Sequence, residues 1–341
     1  MKKVLLATSI AVLLVGCGSN ETVIQPTENT KVLMEKLDPT KAPVFNFDLS
    51  KWKINLPLED DKPKRAGKVM EIAVKDLNNK SNPYSHPDWF YTDPNTGAMV
   101  FVTPNKAMTT PNSQNTRSEL RAMLGGSYKA PKNNFALAAN PDANSYGSIG
   151  GQLTATLSVD WISTSGNAEK NDAFSSIIGQ IHADKNEPLK IAYRKLPEHE
   201  HGSLYWRYEI NAVGDHYGKR KDIYHNVFGQ YDLRAGSSEP TDGIKLGEVF
   251  SYDVNVVGNV MNLTFIKNIG EPNEIEKSLS IDLSKPHYQG EEYDEGYANS
   301  WMYFKAGNNN QCNVTLSECT NNGIEAGDYA KVSFYQLELN Q

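Results

Sequence analysis

The chain has 341 residues with 41 acidic and 34 basic side chains, a net charge of −7. That balance argues against a nucleic-acid partner, but it leaves room for an anionic substrate, because a cleft sets its own local field. Aromatic residues are frequent and Gly, Asn, Asp and Ser recur at short intervals, so an all-β domain is expected, large enough to bury a core without staples.

The N-terminus reads as an export signal. Lys2 and Lys3 form a charged start, and Val4 to Gly16 is an apolar run too short to cross a bilayer, which needs roughly 20 residues. Leu14-Val15-Gly16-Cys17 matches a bacterial lipobox, with cleavage before Cys17 and a lipid on its thiol. Gly18 carries no Asp-type retention signal, so an outer-membrane lipoprotein is expected; the alternative is an ordinary signal peptide and secretion. Membrane contact would then be through the lipid anchor only. Loss of residues 1–16 removes two Lys, leaving 32 basic and 41 acidic residues, a charge of −9. Residues 17–43, punctuated by Pro26, Pro39 and Pro43, read as the lipidated Cys and a flexible tether. The folded domain is expected over 44–341, as a monomer.

Strands are expected over Lys51–Pro57, Trp89–Tyr91, Met99–Val102, Arg117–Arg121, Gln152–Trp161, Phe174–His182, Lys190–Tyr193, Leu204–Ile210, Val249–Val257, Val260–Ile266, Trp301–Ala306 and Val332–Leu339. A short strand or helix is expected around Val69–Val74. Gly258-Asn259 offers a tight hairpin turn. Asn308–Asn310 and Asn321-Asn322-Gly323 read as turns. With no sustained helical period and no internal repeat, the pattern is that of a two-sheet antiparallel jelly roll.

Three of these strands share a polar-faced design. Alternation puts Arg117, Glu119 and Arg121 on one face, Gln180 and His182 on another, and Tyr303 and Lys305 on a third, each backed by apolar residues. Such faces are costly in a dry core. They suit a solvated sheet or the floor of a groove that holds an anion. Arg, Gln and His contacts to a uronate carboxylate stabilise the enolate-like state formed when the C5 proton leaves. Tyr and His supply acid and base for β-elimination, a nearby cation is expected to lower the Tyr pKa, and no metal or other cofactor is required.

Arg117-Ser-Glu-Leu-Arg121, Gln180-Ile-His182 and Tyr303-Phe-Lys-Ala-Gly-Asn-Asn-Asn-Gln311 together resemble the three motifs of the alginate lyases of polysaccharide lyase family 7, in the family's order. The entry strand Phe47–Pro57 is similar as well. The resemblance covers roughly residues 44–340. It implies a concave, concanavalin-like jelly roll that cleaves alginate, releasing oligosaccharides with an unsaturated non-reducing end. It assigns Arg117, Gln180 and His182 to carboxylate neutralisation, Tyr303 to proton donation, and the base to His182 or Tyr303. Glu119, Arg121, Lys305 and Gln311 match sugar-binding or orienting positions. Asn309 departs from the Tyr frequent in the family, and Ile181 is associated with acceptance of guluronate.

Other features carry blander readings. Cys312 and Cys319 are expected to form a small disulfide loop. A metal pair, the alternative, lacks nearby Cys or His partners. His199-Glu200-His201 reads as an exposed loop without a third metal ligand, and Lys219-Arg220-Lys221 as a solvated charge run. The competing functions are a noncatalytic carbohydrate-binding jelly roll and a glycoside hydrolase. The hydrolase needs two opposed carboxylates, and the acidic stretch Glu291–Glu295 is turn-rich instead.

Overall fold

The computed structural model describes residue 32 and residues 34–126, 131–287 and 292–341. The lipobox with Cys17, most of the tether and Glu291 lie outside the described residues. No helix among the described residues is long and apolar enough to cross a membrane.

Eighteen strands are described. In chain order they are β1 (Trp52–Glu59), β2 (Val69–Ile72), β3 (Phe90–Thr92), β4 (Met99–Pro104), β5 (Asn115–Ala122), β6 (Phe135–Ala136), β7 (Ser148–Ile149), β8 (Gly151–Trp161) and β9 (Ser175–Ala183). There follow β10 (Leu189–Arg194), β11 (His201–Glu209), β12 (Asp222–Phe228), β13 (Ile244–Lys245), β14 (Val249–Val257), β15 (Val260–Lys267), β16 (Ile275–Asp282), β17 (Trp301–Asn313) and β18 (Tyr329–Asn340). One sheet runs in the order β12, β11, β10, β9, β17, β5, β1, β2; the other runs β16, β15, β14, β8, β18, β4, β3. The neighbours within both orders are antiparallel, as the jelly-roll reading requires.

The core lies between the sheets. Leu120, Ile181, Phe304 and Trp206 from the first meet Phe101, Leu157, Phe334 and Phe265 from the second, and all are buried. Each such side chain contributes roughly 1.5–3 kcal/mol by leaving water. Ile181 therefore points away from the polar face, as alternation predicts. The hairpin at Gly258-Asn259 is present: Val257 pairs with Val260, and Gly258 adopts φ +63°. Close approach explains Gly179. A Cβ there would lie 2.7 Å from the Tyr252 hydroxyl, which donates to the Ile178 carbonyl at 3.1 Å and ties one sheet to the other.

Several elements differ from the sequence reading. Asn308–Asn310 is not a turn but the continuation of β17. Asn308 is fully buried and donates from Nδ2 to the carbonyls of Phe101 (3.1 Å) and Ala330 (2.8 Å), while its Oδ1 accepts from Ser176 Oγ at 2.6 Å. Asn310 donates to Asn105 Oδ1 at 2.9 Å. Their amides are satisfied inside the fold rather than by water. Strands β12 and β16 are additional edge strands. The packed chain also reaches upstream of Val44: Leu37 packs on the core, and Asn46 donates to the carbonyls of Asp38 (2.9 Å) and Gly97 (3.1 Å). Residues 69–77 hold both a strand and a helical turn, Val74–Leu77. Cys312 and Cys319 form the expected disulfide, with Cα atoms 5.6 Å apart.

At the β11–β12 edge, His225 stacks on Trp206 with centroids 4.0 Å apart and rings 8° from parallel, and its Nε2 lies 3.4 Å from His287 Nε2. Burial, and secondarily His287, push His225 down to about 4. A histidine whose folded pKa is depressed adds stability above its unfolded pKa, near 6.5, and that stability is lost as pH falls toward 4. The ring is only half-buried, so the effect is discounted to roughly 1 kcal/mol between pH 7 and 5. Urea unfolding of a His225→Phe variant is expected to show correspondingly less acid destabilisation than the parent over that interval. Equal pH sensitivity in the two proteins would refute the assignment.

Candidate active site

β9, β17 and β5 lie side by side at the centre of the first sheet, and their register assembles the polar face. Tyr303 pairs with His182, Lys305 pairs with Gln180 on one side and Arg121 on the other, and Asn309 pairs with Arg117. The three motifs, far apart in sequence, thus occupy one patch. The cleft over this patch encloses about 480 Å³ and is lined by Arg117, Arg121, Gln180, His182, Tyr303, Lys305 and Gln311, among others.

Glu119 is the exception. Alternation correctly put it on the face of Arg117 and Arg121, but it is not a cleft-lining sugar contact: only 2% of it is exposed. Gln180 Nε2 and Lys305 Nζ close over its carboxylate, and Arg117 Nη1 lies 3.3 Å from Oε2. One buried carboxylate therefore fixes one side chain from each motif, with charge-assisted hydrogen bonds that a desolvated anion requires. Arg117 is held further by Ser113 Oγ at 2.5 Å, and its Nε is buried without a partner among the described residues. Burial pushes Lys305 down to about 8 even with Glu119 beside it.

Tyr303 sits between two rings of charge and π density. The His182 imidazole stacks on it, with centroids 5.0 Å apart and 9° between planes. The Arg121 guanidinium lies 4.0 Å from the ring centroid and is anchored by a 2.8 Å bond to Asn134 Oδ1. The expected lowering of the tyrosine pKa does not occur. Burial pushes the phenol up to about 12, outweighing the pull of Arg121. Tyr303 therefore carries its phenolic proton in the free protein.

Two residues were missed in the sequence. His182 is bracketed by the Ala183 carbonyl at Nδ1 and by Glu187 Oε1, 3.0 Å from Nε2. Burial opposes the charge of Glu187, but Lys190 and the hydrogen bond to His182 hold its carboxyl well below the usual range. Lys190 also binds Asp222 at 2.6 Å and lies 3.5 Å from Glu209, which burial and Glu187 push up to about 8. Gln311 lines the cleft end and accepts from Arg207 Nη2 at 3.3 Å; it donates to Asn309 Oδ1 at 3.1 Å, so Asn309 supports Gln311. Neither Glu187 nor Arg207 lies in a motif, and only the turn after β9 and the placement of β11 bring them in.

The remaining polar stretches are tied up locally. His201 Nδ1 lies 2.8 Å from Glu239 and His199 Nε2 lies 2.9 Å from the Ser237 carbonyl. Arg220 stacks on Tyr217 at 3.7 Å. Asp294, in the acidic stretch, is buried and accepts from Tyr208 and from the backbone N–H groups of Asn211, His287 and Gly296. No group of three or more His, Cys, Asp or Glu arranged to hold a metal occurs among the described residues.

Comparisons with known proteins place the chain in a family. A sequence model of the family described as alginate lyase matches residues 47–341. An alginate lyase of Klebsiella pneumoniae is 34% identical over 313 residues, covering 87% of this chain and 90% of that protein. The crystal structure of the alginate lyase from Klebsiella pneumoniae superposes with a TM-score of 0.70 at 32% identity, covering 88% of this chain and 99% of that one. An exolytic family 7 alginate lyase from Zobellia galactanivorans gives 0.69 at 30% identity, covering 89% and 98%. A tyrosine-to-phenylalanine variant of a family 7 alginate lyase, in complex with product (GGG), gives 0.56 at 25% identity, covering 88% and 99%.

Proposed function

This chain belongs to the alginate lyases of polysaccharide lyase family 7, and we propose that it cleaves alginate by β-elimination in the cleft of β5, β9 and β17. The observation that carries this reading is the facing pair of His182 and Tyr303 beside Gln180, Lys305 and Arg117. Arg117, Gln180 and His182 receive the uronate carboxylate at the subsite of cleavage, with Lys305 beside them. They stabilise the dianion that develops as C5 loses its proton. Tyr303, a phenol in the free protein, donates to the departing O4. For mannuronate, where base and leaving group are syn, a Tyr303 that has first given its phenolic proton to solvent takes the C5 proton and passes it to O4. For guluronate, where they are anti, His182 is the base. Acceptance of guluronate is part of the proposal and is supported by Ile181 and by the His182 ring in the cleft. Arg121 and Gln311 orient sugar at the flanks. The lipobox supports export and anchoring at the outer membrane through Cys17.

Ultraviolet absorbance during digestion of polyguluronate, polymannuronate and a neutral glucan tests this. Absorbance from the new C4–C5 double bond is expected to rise with at least the guluronate polymer and to stay flat with the glucan. A flat trace on both uronates, with binding retained, would leave a carbohydrate-binding module.

A further inference from the structure

We propose that Glu187 is a positioning residue for His182, holding the ring's orientation in the cleft from outside the three motifs. This deepens the lyase reading and rests on it for the role of His182. Both neighbours of the ring nitrogens are acceptors: the Ala183 carbonyl at Nδ1 and the Glu187 carboxylate at Nε2, 3.0 Å away. A neutral imidazole has one N–H and satisfies one of them; a ring carrying both hydrogens satisfies both. Glu187 and the Ala183 carbonyl therefore fix the orientation of the His182 ring from its two nitrogens. A carboxylate that fixes a histidine's tautomer is a recurrent device in acid–base chemistry.

Glu187 is built into place. The chain turns back after β9, with the Asn186 carbonyl accepting from Ala183 N–H at 2.8 Å. Asn186 Nδ2 donates to Asn211 Oδ1 at 2.5 Å, and the Glu187 N–H donates to Glu209 Oε2 at 3.1 Å. Lys190 Nζ stands 3.5 Å from Glu187 Oε2. The charged and titratable groups facing the pair are thus Lys190 from β10, Glu209 from β11 with Arg220 3.8 Å beyond it, and Asp222 from β12 through Lys190. From the other side come Tyr303 and Lys305 of β17, with Arg121 of β5 behind Tyr303.

Removing the charge while keeping the shape isolates what the carboxylate does for the ring. In Glu187→Gln, kcat is expected to fall roughly 10- to 100-fold with KM nearly unchanged. Glu187→Asp is expected to recover part of the lost kcat. ¹⁵N spectra of the histidine rings give a second readout without turnover, with the His182 Nε2 resonance moving in Glu187→Gln. If Glu187 only clips the turn to the sheet, Glu187→Gln lowers the unfolding midpoint while kcat and the ring resonances stay put, and the proposal fails. A parent protein that makes no unsaturated product overturns the lyase reading instead, and the ring spectra still decide whether Glu187 governs His182.

Discussion

Tyr303→Phe is expected to abolish most turnover, lowering kcat by about 10³-fold or more while leaving the fold and alginate binding close to the parent's. General acid or base catalysis by one positioned group contributes 10²- to 10⁴-fold, and in the mechanism proposed here Tyr303 performs at least the protonation of O4. Phenylalanine keeps the stack with His182 and the guanidinium packing of Arg121 on the ring, and loses only the hydroxyl's own interaction with Arg121. Packing is therefore retained and the loss is chemical. The pH profile sharpens the test. Burial holds the Tyr303 phenol up to about 12, so it stays protonated throughout the ordinary working range. Burial brings Lys305 down to about 8. A depressed lysine loses its charge as pH rises through that value, so substrate binding is expected to weaken above pH 8. That alkaline limb belongs to Lys305 and is expected to persist in the residual activity of the Tyr303→Phe variant. Initial rates by ultraviolet absorbance from pH 6 to 10, with KM and kcat separated, provide the measurement. Near-parental kcat in the variant would remove Tyr303 from the chemistry.

The second large effect is placed at a residue that never meets solvent. Glu119→Ala is expected to lower unfolding free energy by about 3–5 kcal/mol, because it removes the buried acceptor that Gln180, Arg117 and Lys305 share and leaves those buried donors unpaired. Activity is expected to fall about 100-fold even at temperatures where the variant is fully folded, because Arg117, Gln180 and Lys305 lose their common anchor. Glu119→Gln keeps the volume and one acceptor oxygen, so it is expected to recover stability better than activity. Urea unfolding monitored by circular dichroism, paired with lyase rates on the folded fraction, separates the two effects. A Glu119→Ala protein with parental stability and rate would show that the three motif side chains hold themselves.

The sequence alone determined the fold class, because β-period alternation needs only local chemistry: Val249–Val257 and Val260–Lys267 are polar on one face and apolar on the other, and Gly258 closes the hairpin. It also determined the membership of the polar face, since Arg117, Gln180, His182, Tyr303 and Lys305 each follow from parity along a strand, and it pointed to the pairing of Cys312 with Cys319. It was silent where environment rather than pattern decides. Ile275–Asp282 is an edge strand exposed over most of its length, so no buried face imprints an alternation on it. Asn308–Asn310 carries turn-like residues whose amides are spent on buried carbonyl and side-chain partners from β4, β9 and β18 and from Asn105. Parity could place Glu119 on the cleft side but not beneath Gln180 and Lys305, because depth depends on side chains from two other strands. The sign of the Tyr303 shift was likewise tertiary: proximity of a cation favours tyrosinate, and only the packed structure shows that burial outweighs it. Glu187 reaches His182 through a turn fixed by Asn211 and Glu209, which lie more than twenty residues further along the chain, so no local spacing could have announced it.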